Sequence, residues 1–155
     1  APAQLQNKTV TMSWSTSGAA TSDAGQQISF NNINTRSVYV STAGRPFLRM
    51  QVRSTKKSGA MRGGDFGPGE RGSRGSVRFE GNRLIGTEVF SSGARQFIAT
   101  FDSAFSSCTL NVTDAKSGGD AIKRRGPDGA MYRIGAVTTG SPACSIQNGN
   151  AFAGQ

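Results

Sequence analysis

The chain has 155 residues, with 18 Lys and Arg against 9 Asp and Glu, and it carries a formal charge of +9 at neutral pH. A chain of this length buries a real core, and 35% apolar residues with only 17% charged residues and 21 glycines suit short strands and turns and exclude long helices. No apolar run is long enough for a membrane span, and no histidine is present for imidazole chemistry.

Residues 9–15 alternate strictly, with Val10, Met12 and Trp14 on one face and Thr9, Thr11, Ser13 and Ser15 on the other. This predicts a strand with Trp14 in the core. Residues 17–25, rich in Ser, Ala and Gly, read as a loop, residues 28–30 as a short strand and residues 31–34 as a turn. Residues 36–41 then place Val38 and Val40 inward and Tyr39 outward. After the break at Gly44-Arg45-Pro46, Leu48, Met50 and Val52 share a core face, and Phe47, Arg49, Gln51 and Arg53 share an exposed one.

Residues 54–76 differ in composition, with seven Gly and five basic residues against Asp65 and Glu70. A long segment of this kind inside a domain is usually functional or disordered. A meander follows: residues 77–80, a turn at Gly81-Asn82, residues 83–90, a turn at 91–93, and residues 95–102 with Phe97, Ala99 and Phe101 alternating. Residues 106–113 carry Cys108, Leu110 and Val112 on one parity. Residues 114–129 form a second Gly-rich basic loop. Residues 131–139, a break at Ser141-Pro142, and residues 143–147 with Cys144 and Ile146 inward complete the chain.

These elements predict an all-β fold, a single-domain antiparallel β-sandwich over 1–155 with a barrel as second choice, two long Gly-rich basic loops and one disulfide. The shared inward parity of Cys108 and Cys144 pairs them across the core, with two buried free thiols as the alternative. A bridge closing this loop stabilises the fold by roughly 3–4 kcal/mol and persists in an oxidising compartment. The start Ala1-Pro2-Ala3-Gln4 suits the product of signal-peptidase cleavage, and together these features point to an extracellular, cell-surface or periplasmic protein.

Catalytic machinery is poorly supplied. Without histidine, Ser-His-Asp and Cys-His nucleophiles and His-ligated catalytic zinc are unavailable. Lys57 beside Ser58 and Lys116 beside Ser117 lie in basic sequence where a lysine is not desolvated enough to act as a base. Glu80 and Glu88, on strands joined by a tight turn, could face each other as a glycosidase pair, but their contexts are those of solvated side chains. Asp114, Asp120 and Asp128 lack a calcium-loop spacing and are interleaved with cations. Residues 63–69 have the glycines of a phosphate loop without its Lys-Ser/Thr ending. No enzyme, cofactor or metal site is expected, and a His-independent hydrolase ranks third among the functions considered. Asn7-Lys8-Thr9 and Asn111-Val112-Thr113 match the glycosylation pattern, which has meaning only in a eukaryotic secretory pathway.

The positive signal is the basic charge. Thirteen of the 18 basic residues are Arg, whose planar fork grips phosphate, sulfate or carboxylate through paired hydrogen bonds. The candidate polyanion-binding residues are Lys56, Lys57, Arg62, Arg71 and Arg74 of the first basic loop, Lys123, Arg124 and Arg125 of the second, and Arg49 and Arg53 on the strand face. Tyr39, Phe47 and Tyr132 are candidates for an aromatic stacking platform. The expected function is non-enzymatic binding of a polyanionic cell-surface or matrix component. An acidic polysaccharide is the expected ligand, with nucleic acid as a possible but nonspecific one. The alternative is a structural subunit of an extracellular assembly or filament, self-associating by strand pairing through residues 9–15.

Overall fold

The computed structural model describes residues 1–22, 25, 27–54, 61–66, 75–90, 93–116, 123–125 and 131–151. After a short 3-10 turn at Ala3–Leu5, ten strands follow: β1 (Lys8–Ser22), β2 (Gln27–Val40), β3 (Pro46–Ser54), β4 (Met61–Phe66), β5 (Gly75–Glu80), β6 (Arg83–Phe90), β7 (Gly93–Phe101), β8 (Cys108–Lys116), β9 (Lys123–Arg125) and β10 (Met131–Asn148). They form two antiparallel sheets that do not close into a barrel. The larger has four long strands in the order β3-β2-β1-β10, extended at its edges by β4 and β9; the smaller has the order β5-β6-β7-β8. Among the described residues, no helix is long and apolar enough to cross a membrane.

The period-2 pattern explains the packing. Val10, Met12 and Trp14 of β1 pair laterally with Val38, Arg36 and Asn34 of β2, and this row of side chains faces Val77, Leu84, Phe97, Ala99 and Phe101 of the smaller sheet. Leu5, Val40 and Leu48 close the same core, and Trp14 lies in it as its parity requires. Trp14 packs on Phe97 across the sheets, with ring centroids 5.6 Å apart. Phe97 in turn lies over Gly86, where an added Cβ would meet the ring at 2.0 Å, so this cross-strand position admits only glycine without displacing the ring.

The disulfide joins Cys108 of β8 to Cys144 of β10, with Cα atoms 5.5 Å apart, and so ties the two sheets along one side of the sandwich. Half-buried Leu110, Val112 and Ile146 pack against the core beside it. At the end of β7, Asp102 organises the return to β8. Its carboxylate accepts hydrogen bonds from the Ser106 and Ser107 backbone N–H groups and the Ser106 hydroxyl, at 2.7, 3.1 and 2.6 Å. These bonds hold Phe105 at φ +54° against Phe101, where its ring is buried.

Local expectations are corrected at several points, and the segments 54–76 and 114–129, read as loops, contain β4, and the end of β8 with β9, respectively, because neighbouring strands pair with them. Residues 17–22 are strand, because β2 and β10 pair with β1 on both sides as far as Thr21 and Ser22, and pairing on two edges outweighs the low strand propensity of Ser, Gly and Ala. Residues 31–34 belong to β2 and not to a turn. Asn34 is buried there and donates its side-chain amide to the Trp14 carbonyl and the Thr16 hydroxyl, at 3.5 and 3.2 Å. Ser141-Pro142 does not end a strand; it falls where the β1–β10 register shifts between Ser13 and Ser15, with Ser141 at φ +50°. A bulge tolerates proline because the missing N–H interrupts no regular ladder bond.

The double-sided pairing of β1 also bears on assembly. Lys8 through Thr21 hydrogen-bond within the chain to β2, and most of the same positions pair with β10. Residues 9–15 therefore form an interior strand with no free edge to offer a second molecule.

Candidate functional site: the basic half of the larger sheet

Basic residues distribute unevenly along the larger sheet. In the rows from Trp14 to Ser22, the ladder places Arg62 opposite Val52, Arg53 opposite Ile33 and Met61, Arg133 opposite Thr21 and Lys123, and Arg124 opposite Tyr132. Arg125 pairs with Met131 at the start of β10. No Asp or Glu occupies the strand positions of this half. In the other half Arg49 is paired with Asp65 across β3 and β4 and Arg36 is bound to Glu88, while Lys8 pairs with Val40 and Asn148.

Topology produces this segregation. β3 leaves the larger sheet at Ser54, β4 re-enters at Met61, and β9 and β10 pair through Arg125 and Met131, all toward the Ser22 end of β1. Lys116, the last residue of β8, pairs with Gly93 beside the β6–β7 connection. Both segments singled out for their basic sequence therefore bring described strand residues to one half of the larger sheet, on opposite edges: Arg62 on β4, and Lys123, Arg124 and Arg125 on β9. Lys56, Lys57, Arg71 and Arg74 lie outside the described residues, as do Asp120 and Asp128. Asp114 is opposite Arg95 in the β7–β8 ladder.

Arg49 departs from expectation. It is buried instead of exposed, level in the ladder with buried Ser37 and with Asp65, so it belongs to the packed part of the sheet and not to an open cationic face. Tyr39 and Phe47 do come together, with ring centroids 6.2 Å apart, and the Tyr39 hydroxyl donates to the Asn7 side-chain carbonyl. Tyr132 is remote from them. Tyr39 pairs with Thr9 and Tyr132 with Ser22, thirteen residues farther along β1, which is roughly 40 Å at the rise of a strand. The aromatic pair and the basic half of the sheet thus occupy opposite ends.

Glu88 is buried, not solvated as its sequence context implies. Its carboxylate is buried and takes a two-point hydrogen bond from the Arg36 guanidinium, Nε to Oε1 and Nη2 to Oε2, the latter at 3.1 Å. Arg95 approaches the same carboxylate at 3.6 Å. Both guanidiniums lie over Trp14, 5.1 and 5.4 Å from its ring centroid. Glu80, in contrast, is exposed and paired with Arg78, and Glu88 pairs with Gly75 while Glu80 pairs with Arg83, so the two acids do not face each other. The parity of Arg36 with Val38 and Val40 was the available signal for a buried cation needing an internal partner.

No family model matches this chain, and no curated protein or solved structure matches it.

Proposed function

We propose that this protein is a non-enzymatic binder of polyanions in an oxidising, extracytoplasmic compartment, and that it engages an acidic polysaccharide through the basic half of its larger sheet. The observation that carries this reading is the register that places Arg53, Arg62, Lys123, Arg124, Arg125 and Arg133 in strand rows of one half of the larger sheet that hold no Asp or Glu. An excess of Arg and Lys raises the local concentration of anions and binds them with strong salt dependence. The disulfide supports the compartment, because such bridges persist where thiols are not kept reduced.

The test is a titration with heparin, as a model sulfated polysaccharide, at several salt concentrations, comparing the protein with a variant carrying Gln at those six positions. The native protein binds with an affinity that falls steeply with salt, and the variant loses most of that affinity and that slope. Equal binding by the two proteins would overturn the assignment.

A further inference from the structure

The aromatic pair at the opposite end of the larger sheet from the basic half has surroundings of a different kind. Tyr39 of β2 and Phe47 of β3 face each other across the ladder on the outer face, and both are half-buried, so part of each side chain is open to solvent. Next to Tyr39 in the same row, the outward Thr9 side chain is covered by residues 149–151. Its hydroxyl donates to the Gly149 carbonyl at 2.7 Å and accepts from the Ala151 N–H at 3.0 Å, so this strap stands on the outer face beside Tyr39. Asn7 borders the pair at the Tyr39 hydroxyl. It holds φ +57°, a left-handed conformation that strains a residue other than glycine. Two backbone hydrogen bonds pin it there, its N–H to the Val40 carbonyl and its carbonyl from the Gly149 N–H, both at 2.7 Å. Its Oδ1 accepts from the Tyr39 hydroxyl at 3.1 Å, which turns the amide nitrogen of this exposed side chain away from that hydroxyl.

From this arrangement we infer that the pair is a stacking platform for a neutral glycan, with Tyr39 and Phe47 against the C–H face of a pyranose and the exposed amides of Asn7 and Asn150 bonding its hydroxyls. The face of an aromatic ring is the negative side of its quadrupole and attracts the weakly positive C–H groups of a sugar. A side-chain amide both donates and accepts, as a sugar hydroxyl does, whereas an anion takes donors alone. A cross-strand aromatic pair stabilises a sheet in its own right, but that role has no use for a left-handed asparagine held against the tyrosine hydroxyl. Backbone strain that the surrounding bonds enforce is a mark of ligand clamps. Nucleic acid draws its affinity from cations on phosphates, and Arg49, the next outward residue of β3, is buried and level with Asp65. The inference stands apart from the polyanion reading, which concerns the other end of the sheet.

The experiment titrates the intact chain with neutral hexasaccharides, namely cellohexaose, laminarihexaose and N-acetylchitohexaose, and follows saturation transfer from the protein to the sugar C–H protons by NMR. The variants are Tyr39→Ala, Phe47→Ala and Asn7→Gly, with Arg45→Gln removing the exposed cation of the β2–β3 connection as a charge control. Unfolding midpoints identify an alanine variant that misfolds, and Asn7→Gly, which relieves the left-handed strain, then carries the comparison. At least one hexasaccharide binds, with transfer strongest to the protons of one pyranose face. Loss of either ring lowers its affinity about tenfold. Asn7→Gly lowers it about threefold, and Arg45→Gln leaves it unchanged. Heparin binding by the platform variants equals that of the intact chain, so the two readings fail separately. No transfer to any of the sugars, or binding that Phe47→Ala and Asn7→Gly leave untouched, would overturn the platform and leave the polyanion reading as it stands. Heparin binding lost with the rings, or an oligothymidylate bound there more tightly than the sugars, would overturn the neutral ligand class.

Discussion

At the scale of single residues, the interior is held by a polar contact that a hydrophobic core does not require. Arg36 and Glu88 come from opposite sheets and are both almost wholly withdrawn from water, so each depends on the other for compensation. Breaking such a pair by removing one charge costs about 3–5 kcal/mol, whereas replacing both partners with apolar groups of similar volume is often neutral or stabilising. Glu88→Gln therefore lowers the urea midpoint sharply and changes the fluorescence of Trp14, which lies under both guanidiniums. The Arg36→Met/Glu88→Leu protein recovers most of the loss. A Glu88→Gln protein as stable as the native one would contradict this account.

Asp102 provides a pH-dependent contact at the same scale. The Ser106 hydroxyl and then the Ser107 and Ser106 backbone N–H groups hold its carboxyl below the ordinary 3.8. Because the folded value is depressed, the ionised form favours the folded chain. That contribution is complete above the unfolded value and drains away as pH falls through the folded one. Asp102→Asn removes it, so the acid limb of the stability curve below pH 3.8 becomes shallower than in the native protein. Identical acid limbs would show that the turn does not draw on this charge.

At the scale of elements, the bridge between β8 and β10 is the covalent link between the sheets. It closes a loop with a sequence separation of 36 residues, for which chain entropy gives about 3–4 kcal/mol of stabilisation. The Cys108→Ala/Cys144→Ala protein is expected to lose that amount in equilibrium urea unfolding, and an unchanged midpoint would remove the bridge from the sources of stability. The bridge was legible because two short alternating runs each put a cysteine on the apolar parity. The strict alternation of residues 9–15 likewise revealed the centre of β1, and Gly81-Asn82 revealed the β5–β6 turn.

Other features were hidden for identifiable reasons. The second half of β1 and the first half of β2 have weak local preference and become strands through their neighbours, so a local pattern reads them as loop and turn. Arg49 looked exposed because alternation gives only the face of a sheet, not what packs over that face. The uneven spread of charge could not be read locally at all. Arg62 and Lys123 are separated by many residues in sequence and are related only by the order of strands between β4 and β9.

At the scale of the whole molecule, the centre of the larger sheet joins the beginning of the described chain to its end. β1 lies between β2, its immediate successor, and β10, the last strand, and the Gly149 N–H donates to the Asn7 carbonyl at 2.7 Å. Such distant pairings slow folding, because closing the intervening loop precedes any gain from the contacts. During synthesis β1 can form its hairpin with β2 early, but its other edge waits until residues 131–148 have emerged, and Cys144 meets Cys108 no sooner. A nascent chain is thus left with an open edge of alternating apolar residues, the kind that recruits other chains. The same pairing that makes β1 an interior strand in the finished protein makes it the most vulnerable strand while the protein is being made.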